Sequence, residues 1–374
     1  MDYLPFTRPT LDEETIQGVV DVLRSGWLAS GPQVAAFEQA LSSYVGGRAV
    51  RSFTSATGAL EVALQACGIG PGDEVITPAL SFAATANVIL RVGAKPVFVD
   101  VDLATRNLDC NLIEQKITPR TRAILPVHFA GLPVDMDALY DLARKHKLRV
   151  IEDAAHAIGS HWQGKKIGSF GDIVSFSFHP NKNMTSLEGG ALSFANADEL
   201  PRIDQLRFHG IVRGAEGAMD VVVAGGKYNL TDVAARVGLG QLKQLDGFNA
   251  QRRALAAYYF EHFHTDPPCL LPARGDAGHS WHMFAPLLPL DTIKISRHDF
   301  IQKMHARGIG VGVHYPALHL FSLYRALGYS TGDFPNAERI GRETVTLPLF
   351  PAMSLADVER VCVAAAQILR DAKK

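Results

Sequence analysis

The fold of this chain is indicated first by an apolar run that ends in two acids, RVIEDAAH at residues 149–156. Its β-branched centre favours a strand, and small residues follow the acids. On both sides of this run, short apolar segments alternate with amphipathic ones, which is typical of an α/β domain with a largely parallel sheet flanked by helices. We therefore predict a sheet of seven strands. They lie near residue 50 and over residues 74–77, 96–101, 123–127, 149–153, 173–178 and 191–194.

The length of 374 residues exceeds one ordinary hydrophobic core, so we expect a large domain with a smaller companion. A helical pattern near residues 231–245 leads to a charged turn at Arg252 and Arg253, ahead of a segment rich in proline and glycine. We therefore place the start of the smaller domain near residue 250. The predicted organisation is an N-terminal arm at 1–10, a large domain at 11–249 and a smaller C-terminal α/β domain at 250–374.

Two helices have capping signals in the sequence. Thr10 and Glu13 have the spacing of a capping box before the first predicted helix, and Gly26 follows as a C-terminal stop. Ser354 and Asp357 have the same spacing before the last helix. We expect both helices to be amphipathic.

Composition argues for a protein that acts on small molecules. The 37 basic and 38 acidic residues leave a formal net charge of -1, so no overall field attracts nucleic acid or anionic lipid. Four cysteines lie far apart without a CxxC pair, which indicates neither a zinc ribbon nor a disulfide framework. The N-terminus lacks a signal-peptide pattern and no apolar run is long enough to span a membrane. We expect a cytoplasmic protein with no membrane partner.

Ligands of open α/β sheets collect at the carboxyl ends of the strands, so the residues after each strand are the candidates for function. After the first strand comes a run of small hydroxyl residues that opens a helix, Thr54 to Gly58. Backbone N–H groups at a helix start can bind a phosphate. The alternative is plain helix capping by Ser55 or Thr57.

The strand at residues 149–153 ends in Glu152 and Asp153. A carboxylate at a buried strand end requires a cationic or hydrogen-bonding partner, and a protonated pyridine ring would supply one. Because neighbouring strand residues face opposite ways, only one of the two acids can point into a site. The residues alone do not choose between them, and both could simply cap the following turn.

The stretch SFSFHPNKN at residues 175–183 runs from a strand into a polar turn with a single lysine, Lys182, and Gly189 and Gly190 follow. A lysine in a pocket of low dielectric can have a lowered pKa and act as an amine nucleophile and as a base. Most lysines are simply solvated, as we expect for Lys165 and Lys166 in an exposed hairpin. After another strand, Phe82 lies among small residues, where its ring could stack on a flat cofactor or pack in the core.

Together these motifs resemble the DegT/DnrJ/EryC/StrS family of sugar aminotransferases over nearly the whole chain. The stretches that carry the resemblance are PGDEVITPALSFAAT (71–85), ITPRTRAILPVHFAG (117–131), VIEDAAHAIGS (150–160), SFSFHPNKN (175–183), EGG (188–190) and KYNLTDVAARVGLGQL (227–242). A closer likeness is to the subgroup that makes UDP-4-amino-4-deoxy-L-arabinose. Its carriers include LPFTRP (4–9), LRSGWLASGP (23–32) and LPLFPAMS (347–354).

The resemblance implies fold-type I architecture, pyridoxal 5'-phosphate (PLP) as cofactor with pyridoxamine phosphate (PMP) as its intermediate form, and a homodimer with shared active sites. It implies that Lys182 binds the cofactor as a Schiff base, that Asp153 pairs with the pyridine nitrogen and that His156 lies by the phenolic oxygen. The other implied cofactor residues are Phe82 for the ring, Ala56, Thr57 and Ser177 for the phosphate, and Asn229 for the same phosphate from the neighbouring subunit.

For the sugar, the resemblance implies Trp27, His314, Tyr315 and His319, with Lys227 and Tyr228 from the partner subunit. The stretch HYPALH (314–319) departs from the arabinose pattern in its middle, so the substrate does not simply carry over. Zinc ligation by its two histidines gains little support, because no carboxylate is nearby in the sequence.

The implied reaction converts a nucleotide-linked 4-keto sugar, such as a UDP-4-keto-pentose, to the 4-amino sugar with L-glutamate as donor. The alternative substrate is a dTDP- or UDP-linked 4-keto-6-deoxyhexose. A PMP-dependent sugar dehydrase on the same fold would lack the anchoring lysine, and Lys182 argues against it. A nicotinamide enzyme is disfavoured because GIGVG (308–312) does not open a helix.

Overall fold

The computed structural model describes residues 2–214 and 217–374. Its strands are β1 (Ala49–Phe53), β2 (Glu74–Pro78), β3 (Lys95–Val99), β4 (Thr121–Ile124), β5 (Arg149–Asp153), β6 (His161–Trp162), β7 (Lys165–Lys166), β8 (Ile173–Ser177), β9 (Gly190–Phe194), β10 (Ile211–Arg213) and β11 (Met219–Val221). Seven of them form the central sheet in the order β1-β9-β8-β5-β4-β2-β3, in which only β9 runs against the others. These are the seven predicted strands, each confirmed to within a few residues.

Helices cover the sheet and build a second lobe near the C-terminus. This is the large α/β architecture that the alternation of strands and helices predicts. The helices are α1 (Glu13–Ser25), α2 (Pro32–Tyr44), α3 (Ala56–Ala66), α4 (Ala83–Arg91), α5 (Met136–His146), α6 (Leu200–Arg207), α7 (Asp232–His262), α8 (Arg297–His305), α9 (Ser322–Arg325), α10 (Pro335–Glu343) and α11 (Leu355–Asp371). Strands β6 and β7 form the predicted hairpin, and β10 and β11 form another.

The helix caps agree with the sequence at one end of the chain and differ at the other. Ser354 and Asp357 form a capping box with both hydrogen bonds present. At α1 the cap is Asp12 rather than Thr10, because the Asp12 carboxylate accepts the Thr15 N–H at 2.8 Å. Both residues suit this position, and only the path of the chain decides between them.

The prediction of a charged turn at Arg252 is wrong, because α7 continues through this residue to His262. The Arg252 side chain is buried, and its guanidinium donates to the carbonyl oxygens of Trp281, His282 and Leu349 at 3.4, 3.2 and 2.7 Å. Burial lowers the pKa of Arg252 to about 9. A domain boundary near residue 250 falls inside this helix and stays a prediction.

Two apolar cores meet along α7. Leu245 belongs to the core beneath the main sheet, whereas Leu255 and Tyr259 belong to the core of the C-terminal lobe. Within the described ranges, no helix is long and apolar enough to cross a membrane.

Gly190 allows α3 to start close to β9. A Cβ atom at this position would come within 3.0 Å of the backbone of Ser55 and Ala56, which cannot move aside as a flexible side chain could. We expect Gly190→Ala to lower the free energy of unfolding by about 1–3 kcal/mol, the usual effect of overpacking. Gly247 in α7 is the matched control, since nothing lies within 4 Å of an added Cβ there.

Gly247→Ala should be neutral or stabilise the protein by up to about 1 kcal/mol, because alanine is the better helix former. Urea denaturation of both variants measures the difference. Equal stability of the two would contradict the close approach of α3 to β9.

Candidate active site

A cavity of about 380 Å³ lies at the carboxyl ends of β5 and β8, between the main sheet and the segment after α8. It brings together side chains from six separate parts of the chain, as expected for an open α/β sheet. Nine of the predicted site residues line it: Ala56, Thr57, Phe82, Asp153, His156, Ser177, Lys182, His314 and Tyr315.

One wall of the cavity is the start of α3. The Ser55 side chain caps this helix by accepting the Gly58 N–H at 3.1 Å. The N–H groups of Ala56 and Thr57 belong to the first turn, where no intrahelical acceptor exists, and the helix dipole adds a positive potential. Ser177, the last residue of β8, brings a hydroxyl to the same cavity. The capping interpretation and the anion-binding interpretation are therefore compatible.

The structure separates the two acids at the end of β5. Glu152 points away from the cavity and is fully buried, with its carboxylate 2.9 Å from His128 Nε2 and 2.6 Å from the Tyr140 hydroxyl. Asp153 lines the cavity and accepts from the Thr85 hydroxyl at 2.8 Å and from the Ala155 N–H at 3.1 Å. Burial raises the pKa of Asp153, while these two hydrogen bonds act in the opposite direction.

His156 is held in a defined orientation behind the cavity. Its Nδ1 accepts the Ala130 N–H at 3.3 Å, so the proton of the neutral ring lies on Nε2 and is donated to the Tyr315 oxygen, also at 3.3 Å. The ring stacks on His282 with 4.5 Å between centroids. Burial, with Lys182 and His314 nearby, lowers the pKa of His156 well below its usual range. The ring is therefore a neutral hydrogen-bond donor.

Lys182 reaches the cavity from the turn after β8, where its N–H donates to the His179 carbonyl oxygen at 2.8 Å. Burial lowers the pKa of the Lys182 amine to about 8, although the negative charge of Asp153 opposes the shift. Such an amine is partly neutral near physiological pH and can act as a nucleophile or as a base.

Asn229 and Lys227 lie outside this cavity, in a separate groove of about 1210 Å³ beside α2 and α6. The Lys227 amine bonds the Asn229 side-chain oxygen, and the Asn229 amide donates to the Ser30 hydroxyl at 2.6 Å. Trp27 is 60% exposed and is absent from both linings. Within one chain, these three residues therefore do not contribute to the cavity.

Tyr228 and His319 face structural partners in their own chain. The Tyr228 ring lies against Gly58 of α3, and its hydroxyl donates to Glu61 at 3.2 Å. His319 is fully buried, with Nε2 2.9 Å from Glu338. Packing within one chain already uses both groups, and the substrate role of Tyr228 and His319 stays a prediction.

The residue pattern missed several side chains around the cavity. Thr85 contacts Asp153 directly, and Ser81 contacts Thr85 with 2.7 Å between the hydroxyl oxygens. Ser81 precedes α4 and Thr85 lies in its first turn, so helical spacing alone does not predict this pair. His282 comes from a loop that is distant in the sequence, and no residue pattern around it predicts a place beside the cavity. At the mouth of the cavity, His179, Asn181 and Glu188 add polar groups.

Comparison with known proteins gives a consistent result. Residues 9–366 match the model of the DegT/DnrJ/EryC1/StrS aminotransferase family. The UDP-4-amino-4-deoxy-L-arabinose–oxoglutarate aminotransferase of Shewanella sediminis is 38% identical over 98% of both chains. The uncharacterised protein MJ1066 of Methanocaldococcus jannaschii is 41% identical over 99% of this chain and 98% of its own.

Among solved structures, the PMP-form of Spr1654 from Streptococcus pneumoniae superposes with a TM-score of 0.93 at 32% identity, covering 98% of this chain and 99% of that one. Spr1654 has also been solved in a PLP-form, with the same TM-score of 0.93. The fold-type I architecture that the motifs imply is therefore confirmed, as is the PLP cofactor. This chain belongs to the DegT/DnrJ/EryC1/StrS family and is a PLP-dependent sugar aminotransferase.

Proposed function

We propose that this enzyme transfers the amino group of L-glutamate to the C4 ketone of a nucleotide-linked sugar, with a UDP-4-keto-pentose as the first candidate. The observation that carries the proposal is the convergence of Lys182 and Asp153 in one cavity beside the start of α3. The name of the Shewanella sediminis relative supports the choice of sugar.

The cavity fits PLP in charge and in shape. The first turn of α3 and the Ser177 hydroxyl suit a phosphate, and a side chain at Gly190 would press on that turn. Phe82 is 58% exposed although it lines the cavity, which leaves its face free for a planar ring. Asp153 supplies a buried anion for a pyridinium nitrogen.

PLP supplies an aldehyde that takes up an amino group and a ring that accepts electrons when a carbon acid loses its proton. We propose that the neutral Lys182 amine removes and returns this proton at its Nζ atom. The Asp153 carboxylate would hold the proton on the pyridine nitrogen of bound PLP. The His156 Nε2–H, which lies 3.3 Å from the Tyr315 oxygen on the cavity side, would orient the phenolic oxygen of bound PLP in place of Tyr315. Burial favours the neutral forms that Lys182 and His156 require, whereas the Asp153 anion is favoured by its hydrogen bonds from Thr85 and Ala155.

The lowered pKa of Lys182 predicts how cofactor uptake depends on pH. With a pKa of about 8, roughly a tenth of the amine is neutral at pH 7, against well under a hundredth for an ordinary lysine. The rate at which the apoprotein turns yellow with added PLP should therefore rise with pH and level off above about 8. Stopped-flow absorbance from pH 6 to pH 10 measures it. A rate that still rises steeply at pH 10 would contradict the lowered pKa.

We further propose a homodimer in which Asn229, and with it Lys227, completes the site of the partner subunit. The position of both residues in a groove outside their own cavity supports this arrangement. Lys182→Ala and Asn229→Ala subunits should each bind PLP poorly. After mixing and exchange, random pairing gives one intact site in each heterodimer, so about a quarter of the sites should recover. No recovery, with exchange verified by mass spectrometry, would argue for sites built from one chain.

The identity of the sugar substrate can be tested with the two half-reactions of the enzyme. The yellow enzyme is converted with L-glutamate, excess glutamate is removed, and single UDP- or dTDP-linked 4-keto sugars are added. We expect a UDP-4-keto-pentose to restore the yellow form. Restoration only by a 4-keto-6-deoxyhexose would overturn the pentose assignment, and no conversion by glutamate would overturn the donor.

A further inference from the structure

We propose that Thr85 is a positioning residue for the reaction: its hydroxyl, itself oriented by Ser81, holds the Asp153 carboxylate in the one direction that serves the cofactor. This inference rests on the proposed role of Asp153. It adds two residues that act through a third side chain.

The direction of the hydrogen bonds follows from the groups present. A carboxylate only accepts, so the single Thr85 hydroxyl proton is donated to Asp153 Oδ2 at 2.8 Å. In the contact of 2.7 Å between Ser81 and Thr85, the donor must then be Ser81. The result is a one-way chain from Ser81 through Thr85 to Asp153.

All three members are buried, and Thr85 in the middle of the chain is fully buried and outside the cavity lining. The Ala155 N–H holds the other carboxylate oxygen at 3.1 Å. One donor on each oxygen defines the plane of the carboxylate and leaves further lone pairs free for a ligand. Hydrogen bonds in such a chain polarise one another, which strengthens the bond that reaches the charged end.

The ladder of β5 holds the main chain of Asp153 independently. Its N–H donates to the Pro126 carbonyl oxygen at 2.9 Å, and its own carbonyl accepts the His128 N–H at 3.1 Å. With the backbone fixed, the remaining freedom is the rotation of the side chain. Thr85 is the side chain that removes this freedom.

The charged and titratable groups that act on Asp153 are Lys182 after β8, Tyr315 beyond α8 and, through its charge from the other side of β5, His128. The Thr85 hydrogen bond favours the anionic carboxylate, whereas burial favours the neutral acid. Losing the hydroxyl therefore raises the pKa of Asp153. Protonated Asp153 no longer pairs with a pyridinium nitrogen, so PLP affinity should fall at a higher pH than in the wild type.

The test compares Thr85→Val with Thr85→Ser. Valine keeps the branched shape and loses the hydroxyl, while serine keeps the hydroxyl and loses a methyl group. The dissociation constant of PLP is measured on each apoprotein by absorbance titration across pH 5 to 9. We expect Thr85→Val to weaken PLP binding roughly tenfold and to move the acidic loss of affinity up by about one pH unit. Thr85→Ser should stay close to wild type, and Ser81→Ala should show a smaller shift in the same direction.

The opposite order, with valine harmless and serine damaging, would show that Thr85 only fills space and would overturn the inference. Asp153→Asn, titrated alongside, separates the role of Thr85 from the role of Asp153. If it weakens PLP binding while Thr85→Val does not, only the role of Thr85 falls. If neither substitution changes the affinity or its pH dependence, the proposed role of Asp153 falls with it.

Discussion

Lys182→Ala should give a colourless protein that has lost transamination by about 10²–10⁴-fold or more, the usual contribution of a general base. The physical reason is that Lys182 is the one lysine that the described residues of a single chain bring to the cavity lining, with a pKa lowered by burial to about 8. No other amine among the lining residues can take over its proton transfer. Absorbance spectra of the purified variant and assays with L-glutamate measure both effects.

Two control variants make this result specific. Lys165→Ala removes an exposed lysine in the β6–β7 hairpin and should leave colour and activity unchanged. Lys182→Arg keeps a positive charge of similar length but cannot become a neutral amine, so it should be as inactive as the alanine variant. A yellow Lys182→Ala protein, or an active Lys182→Arg protein, would refute the assignment.

Asp153→Asn should still bind PLP, though more weakly, and should lose most of its activity, by about 10²-fold or more. Asparagine has nearly the shape of aspartate, and its amide oxygen can keep one of the two hydrogen bonds that Thr85 and Ala155 donate to different carboxylate oxygens. It has no charge, however, and so cannot hold a proton on the pyridine nitrogen. Steady-state rates at saturating PLP separate the chemical defect from the weaker binding.

Glu152→Gln is the matched comparison one residue away. Glu152 faces His128 and Tyr140 on the opposite side of β5, so its loss should lower stability and leave the spectrum of bound PLP unchanged. Thermal melting and absorbance are measured on the same samples. If Asp153→Asn were fully active and Glu152→Gln inactive, the assignment of the two acids would be reversed.

Sequence patterns predicted this site best where one strand end determines where a side chain lies. Asp153 and Ser177 end neighbouring parallel strands, and Lys182 follows in the next turn, so the sheet alone brings them together. To choose between Glu152 and Asp153, one must know which face of strand β5 points toward the cavity. That information lies in contacts with His128 and Tyr140, which are far away in the sequence.

Sequence patterns are less informative for charged or polar residues whose partners are backbone groups or distant side chains. Arg252 lies in a charged stretch that resembles an exposed turn, but its guanidinium donates hydrogen bonds to three carbonyl groups from remote segments. His319, a sugar candidate by resemblance whose role stays a prediction, has its Nε2 2.9 Å from Glu338 of α10. A pattern of residue types does not contain these long-range pairings.

The unbroken α7 also bears on how the molecule opens. Its 31 residues form a rod of roughly 46 Å, and each apolar core packs on a different half of that rod. Fraying of the C-terminal lobe would strip contacts from Leu255 and Tyr259 and expose the carbonyl cluster around Arg252. The loss of these contacts would destabilise the N-terminal half of α7, which carries Leu245. The two lobes are therefore thermodynamically coupled, and their melting should be cooperative rather than sequential.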